Sequence, residues 1–287
     1  MIEDRAFESN GPQQGLLNLK NTVVFVVVIY LMSLNHSHAQ IIWAGIKAGG
    51  QLNMVKLDAP GFRDTVNSLP TLGFNAGGAL SFRVKDRYFL QTEYTYSLKR
   101  KTIKSNGRFD PLLEDKVSYH YFEIPVLFTM QFKIFTGEEK KFKCYAGAGP
   151  NLAYLVAARG RLKSSELTEE GFDPLTYKIS FTERKNRDHT DVIHYPTDTK
   201  RFQFGINVGA GIILEPQPKR KVIIDFRYTF DQTQFAKTSA NNILPHDYRD
   251  NLKFRNRTLR ISIMYLLQYN LDKKVRNKGK SNLPKSR

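Results

Sequence analysis

Tyr119-His120-Tyr121-Phe122-Glu123-Ile124-Pro125-Val126-Leu127-Phe128-Thr129-Met130-Gln131-Phe132 decides the fold class. Read at every second residue, one face carries Phe122, Ile124, Val126, Phe128, Met130 and Phe132. The other carries Tyr121, Glu123, Pro125, Leu127, Thr129 and Gln131. A period of two is the strand period, because successive side chains point to opposite faces of the pleat. The run is longer than an ordinary strand and close to what a tilted strand needs to cross a bilayer. A single alternating segment is a weak sign of a membrane barrel. The chain, however, contains eight.

The other seven alternate in the same way. They are residues 45–54, 72–84, 88–98, 142–156, 202–214, 222–230 and 259–269, with the quoted stretch fourth in order. Connections alternate too: those after the first, third, fifth and seventh segments are long, and those after the second, fourth and sixth are short. Long loops at one end and short turns at the other are the arrangement of bacterial outer-membrane barrels. The expected fold is all-β: an eight-stranded antiparallel up-and-down transmembrane β-barrel with long extracellular loops, short periplasmic turns and both termini periplasmic. In lipid no strand edge can stay unpaired, so the sheet must close.

Alternation alone also suits a soluble, lipocalin-like barrel with its apolar face inward. The polar face separates the two readings. A wet exterior calls for long Lys and Glu side chains, whereas this face is mostly Gly, Asn, Gln, Ser and Thr. Small hydrogen-bonding residues fit a narrow lumen. Glu93, Glu123, Asp225, Arg227 and Arg260 share that face and would become buried ions. Isolated buried charges are prohibitive, so these five are expected to pair as an internal salt-bridge cluster joining the third, fourth, seventh and eighth strands. On the apolar face Tyr88 and Tyr96, and Phe142 and Tyr154, are spaced to cover roughly 20–30 Å, the separation of two aromatic girdles.

Composition sets further bounds. There are 20 Phe, 14 Tyr and 19 Gly, a mix that favours strands and tight turns. The single cysteine, Cys144, excludes an intrachain disulfide. Net charge is +17. Nucleic-acid binding is not expected, because the basic residues do not gather on one ordered face but spread along segments that also carry acids. The apolar run at 22–32 follows Lys20, ends near Ser37-His38-Ala39 and is short for a membrane helix. It reads as a signal peptide with a long leader, residues 1–39. The barrel domain would then span 40–270. Residues 271–287 form a basic tail that reads as a solvated, disordered end.

Tyr121-Phe122-Glu123-Ile124-Pro125-Val126-Leu127 resembles the aromatic–hydrophobic–Glu-Ile-Pro strand of the PorT-like outer-membrane β-barrel family of Bacteroidetes. Tyr145-Ala146-Gly147-Ala148-Gly149-Pro150 and the closing segment at 259–269 fit the same pattern. The resemblance implies a cell outer-membrane location and, through the family's namesake, an association with type IX secretion and gliding.

The expected function is non-enzymatic: a structural, partner-binding or secretion-associated barrel with no cofactor. Its partners would be outer-membrane lipid and a protein engaged through the long loop at 157–201, which mixes nine basic and eight acidic residues with Tyr177, Phe181 and Tyr195. Alternatives are an outer-membrane lipid hydrolase or acyltransferase using His120 near Ser118, a loop metal site at Asp188, His189, Asp191 and His194, and the soluble binder.

Overall fold

In the computed structural model the described residues are 41–57, 66–107, 110–136, 140–171, 174–181, 192–194, 199–236 and 253–270. The leader, the basic tail, and Asp188, His189 and Asp191 lie outside them. Eleven strands run in chain order: β1 (Ile41–Leu57), β2 (Val66–Leu69), β3 (Thr71–Lys85), β4 (Tyr88–Ser105), β5 (Glu114–Thr136), β6 (Lys140–Lys163), β7 (Leu175–Ile179), β8 (Val192–His194), β9 (Phe202–Gln217), β10 (Arg220–Asp231) and β11 (Phe254–Asn270). A short helix, α1 (Ser165–Glu169), follows β6.

Eight of the strands close a ring. β1 pairs with β3, then β4, β5, β6, β9, β10 and β11 follow, and β11 returns to β1 from Ile41↔Asn270 to Leu57↔Phe254. Every pairing in the ring is antiparallel. No edge is left to solvent or lipid, as the absence of water in a bilayer core demands. β2, β7 and β8 are short additions at the long-connection end. The eight alternating segments each fall inside one ring strand.

The stagger can be followed around the ring. From Ile42 the register passes to Phe82, Leu90, Phe128, Ala148, Val208, Tyr228 and Leu259, and returns to β1 at Leu52, ten residues further on. A stagger of that size over eight strands tilts them by roughly 40° and leaves an interior that side chains can fill. Among the described residues, the two-residue connections between strands lie at one end. Asp86-Arg87 joins β3 to β4, and Pro218-Lys219 joins β9 to β10 with Lys219 in the left-handed region at φ 68°. The chain ends of the barrel, Ile41 and Asn270, lie at this same end.

The apolar face points outward. Phe128, Ile206 and Ile263 are 52%, 41% and 58% exposed, while Glu93 and Glu123 are 1% and 0% exposed. For a water-soluble barrel that distribution would be inside out. Tyr96, Phe122, Tyr154 and Phe202 fall on one register row and form an outward aromatic belt. Within it the Tyr154 and Phe202 rings stand 4.8 Å apart.

The lining is not polar throughout, contrary to the sequence expectation. Near the short turns, Trp43, Phe89, Tyr145, Ile223, Met264 and Leu266 form an apolar plug. At the other end Ile103, Tyr119, Tyr121, Leu155, Leu162 and Phe254 join Leu167 of α1 and Tyr177 of β7 in a second core. The reason is length. β5 and β6 have 23 and 24 residues, enough to rise well past a hydrocarbon core of about 30 Å. Beyond the acyl layer the outer wall is wet, so stability there comes from apolar packing inside. The 157–201 loop is accordingly shorter than its sequence limits, because residues 157–163 continue β6 and α1, β7 and β8 occupy part of the remainder.

Candidate functional site: the ionic lumen

Between the two apolar cores lie the charges. Inward positions of β1, β4 and β10 bring Lys47, Glu93, Asp225 and Arg227 together. Lys47 Nζ donates to Glu93 Oε2 at 3.0 Å and to Asp225 Oδ2 at 2.6 Å. Arg227 grips Glu93 through both terminal nitrogens, Nη1 to Oε2 at 3.0 Å and Nη2 to Oε1 at 2.9 Å. Its Nη2 also lies 3.0 Å from Asp225 Oδ2. Gln91 Nε2 donates to Glu93 Oε1 at 2.7 Å, and the Tyr145 hydroxyl donates to Asp225 Oδ1. Two cations face two anions, so the group is neutral as a whole.

A second group sits one level closer to the long connections. Glu123 meets Lys99 at 3.1 Å and Arg260 at 2.6 Å. Lys99 also reaches Asp231 at 3.0 Å, and its ammonium stands 4.9 Å from the centre of the Tyr121 ring. Here too two cations face two anions. At a third level Lys101 lies 3.6 Å from Asp115, which accepts from the Tyr177 hydroxyl at 2.8 Å. At each level every charge has an opposite charge within 4.0 Å, as charges out of water require.

The five residues named from sequence therefore divide between two levels. Glu93, Asp225 and Arg227 belong to one, Glu123 and Arg260 to the other, and β1 takes part through Lys47. Lys47, Lys99, Lys101, Asp115 and Asp231 were not named. Lys47 does stand on the polar face of the first segment, but Lys99, Lys101, Asp115 and Asp231 fall just outside the segment limits drawn from alternation. The five carry three anions and two cations, so charge balance calls for a further cation, which Lys47 supplies from the polar face of the first segment.

Neutral polar side chains fill the gaps. Gln51 Nε2 donates to Ser97 Oγ and to the Leu98 carbonyl, both at 2.9 Å. Thr258 Oγ1 donates to Asn53 Oδ1 at 3.0 Å, and Thr229 Oγ1 to Asn207 Oδ1 at 2.6 Å. The inward glycines admit close backbone approach. A Cβ at Gly77 would stand 2.0 Å from the Tyr94 carbonyl oxygen, and one at Gly45 1.8 Å from that of Tyr265. Both are inside any tolerable contact, so the tightly coiled wall requires glycine there.

The histidine of the enzyme reading is placed differently. His120 and Ser118 lie on the outer face of β5, half-buried, and His120 Nδ1 is engaged by the Tyr96 hydroxyl. His194 lies in β8. Among the described residues no three His, Cys, Asp or Glu side chains gather as metal ligands would.

No curated protein matches the sequence. The solved structures it is similar to include neisserial surface protein A, with 13% identity over 79% of this chain and 97% of the other and a TM-score of 0.36. They also include outer membrane protein OprG of Pseudomonas aeruginosa, with 13% identity over 82% and 98% and a TM-score of 0.39. Ail, the attachment invasion locus protein of Yersinia pestis, matches with 12% identity over 79% and 99% and a TM-score of 0.34. The family model for the outer membrane protein beta-barrel domain matches residues 38–231, more than half of the chain. The chain belongs to that family of outer-membrane β-barrel proteins, whose place is the cell outer membrane.

Proposed function

We propose that this protein is a non-enzymatic, plugged barrel of the PorT-like kind that works through its long-connection end, as a partner-binding or secretion-associated component of the outer membrane. That end faces outward from the cell, and both termini face the periplasm. The observation that carries the reading is the lumen. Two apolar cores with charge-balanced ion groups between them fill the barrel along its length. A barrel built to conduct would keep a continuous aqueous path, and one built to rearrange would leave some of these ions weakly held.

Investment in the long-connection end supports the second half of the proposal. α1, β7 and the extended β5–β6 pair stand on a core of their own, which gives the loop region a rigid base. Ser164 caps α1 by accepting from Leu167 N at 3.1 Å, and Asp110 accepts from Ser165 N at 2.9 Å, tying that base to the start of β5. A scaffold of this kind holds a recognition surface in place.

Two measurements test the proposal together. In planar bilayers the purified barrel should give no steps of conductance. Cross-linking in intact membranes followed by purification should capture one protein partner, and capture should fall when 182–198 is replaced by a short Gly-Ser linker. Stable unit conductance, or capture that survives the replacement, would overturn it.

A further inference from the structure

Outside the outer aromatic belt the wall of β4, β5, β6 and β7 changes character. Two register rows run across it: Arg100↔Ser118↔Arg159↔Lys178, and Thr102↔Lys116↔Arg161↔Thr176. They frame a shallow cleft of about 470 Å³. Five cationic residues border it: Lys101, whose ammonium turns inward to Asp115, and Arg100, Lys116, Arg159 and Arg161, with hydroxyls from Thr71, Thr102, Ser118 and Thr176 between them. No acidic side chain takes part in that lining. Lys116 is neutralised by Glu114 at 2.8 Å. Arg100, Arg159 and Arg161 have no acidic partner among the described residues; Arg100 Nη1 merely approaches the Leu72 carbonyl at 3.4 Å. At the opposite mouth acids do enter the lining: Glu215 holds Lys143 and Asp86 lies 3.5 Å from Arg83, beside Arg87 and Lys133.

Height matters as much as charge. Arg100 follows Tyr96 by four residues on β4, and Arg159 follows Tyr154 by five on β6. At about 3.3 Å per residue and a tilt of roughly 40°, both guanidinium groups stand about 10 Å beyond the belt. That is the level of lipid headgroups. Arginine's planar fork suits phosphate, and hydroxyls beside it suit sugar. A lone phosphate ion would leave most of the cleft vacant.

We propose that this cleft docks the phosphate-bearing headgroup of a phosphorylated glycolipid in the leaflet that surrounds the long-connection end. The proposal rests on the orientation given above only for which leaflet supplies the lipid. The barrel thereby gains a fixed annular lipid beside β4–β6.

The test uses the full chain folded in detergent micelles, with native mass spectrometry reading lipid retention. The probes are lipid A with two phosphates, the same lipid with none, phosphatidylglycerol and inorganic phosphate. The barrel should retain the doubly phosphorylated lipid best. The triple variant R100Q/R159Q/R161Q should hold it on the order of 100-fold more weakly, since each headgroup-facing cation contributes roughly a fivefold factor. R257Q, on β11, should bind as the parent does. Heat-modifiable migration confirms that each variant is folded. Equal retention by the triple variant, equal retention of the phosphate-free lipid, or preference for phosphatidylglycerol would overturn the proposal, as would displacement by millimolar inorganic phosphate. Protease access to a tag placed after Arg287 in intact cells tests orientation separately: cleavage there refutes the topology and leaves the micelle result standing.

Discussion

Replacing Glu93 by glutamine tests whether the lumen is held by charge balance or only by shape. The substitution keeps the volume and still offers one oxygen to Arg227. It removes one of two anions from a group that holds Lys47, Arg227, Glu93 and Asp225. Glu93 accepts from Lys47 at 3.0 Å, from Arg227 at 3.0 and 2.9 Å, and from Gln91 at 2.7 Å, all out of contact with water. Leaving one buried charge uncompensated costs about 3–5 kcal/mol. A pair at about 4 Å with an effective dielectric near 20 gives a similar figure, about 4 kcal/mol. Urea titration in lipid vesicles can read the loss, with Trp43, the sole tryptophan, as the probe. At about 1–3 kcal/mol per molar urea the midpoint should fall by at least about 1 M. Lys47→Met in the same chain restores neutrality and should recover about half of the loss or more, a coupling of at least about 1.5 kcal/mol in a double-mutant cycle. A loss under about 1 kcal/mol for Glu93→Gln, or strict additivity with Lys47→Met, would refute charge balance as the organising rule.

Other perturbations probe neighbouring parts of the structure. Tyr145→Phe removes the hydroxyl that Asp225 accepts from and should cost about 1–2 kcal/mol in the same titration, with no change in heat-modifiable migration. Lys99→Met strands Asp231 and leaves Glu123 with Arg260, so it should destabilise by about 3–5 kcal/mol and be partly rescued by Asp231→Asn. Gly77→Val should abolish the compact, fast-migrating form on unheated gels, because its Cβ falls on the Tyr94 carbonyl of the paired strand. Asp110 in the loop before β5 is partly desolvated, which would raise its pKa, but hydrogen bonds from Ser165 and Leu112 outweigh this and hold it below the usual aspartate value. A depressed folded-state value stabilises above the unfolded value and is lost as pH falls through the folded one. Amide exchange in α1, corrected for intrinsic rates, should therefore accelerate on acidification below the ordinary aspartate range, and Asp110→Asn should flatten that dependence.

Much of the barrel was legible because its main constraint is binary. A strand between lipid and a narrow lumen must alternate, as Phe122-Glu123-Ile124 and Ile261-Ser262-Ile263 do, and the small polar lining then says which face is inside. Strand ends were less legible, because alternation fades where the wall leaves the membrane. Lys99-Arg100-Lys101 reads as the start of a charged loop, yet Lys99 and Lys101 are buried and β4 continues to Ser105. The apolar plugs were hidden for a related reason. Tyr121, Tyr145, Ile223 and Met264 sit at inward positions, and hydropathy alone does not distinguish a lipid-facing side chain from one that caps a lumen. Pro125 was visible but its effect was not. The β4–β5 register has no pairing from Pro125 or Ile124 to Tyr94 or Glu93, as a residue without an N–H would dictate, and this places the gap in the ladder beside the Glu93 carboxylate.

The distribution of charge links the lumen to the outer wall. The chain carries a formal +17, yet each of the three buried ion levels holds equal numbers of cations and anions. Little of the surplus is spent inside, because an unmatched buried ion is costly; beyond these levels the buried cation among the described residues is Lys221, over the Trp43 ring near the short turns with Glu215 3.9 Å away. The surplus must therefore lie on the rims, the connections and the chain ends. On the rim beyond the aromatic belt it takes an ordered form, with three arginines that lack acidic partners among the described residues on two neighbouring register rows and hydroxyls between them. Cations at headgroup level cost little when the headgroups are anionic and repel one another when they are not. The same electrostatics that forces neutrality on the interior thus makes the wall selective for its lipid. Stripping phosphate from the surrounding lipid should weaken the parent barrel toward urea and leave R100Q/R159Q/R161Q nearly unaffected, whereas Glu93→Gln should lose the same amount in either lipid.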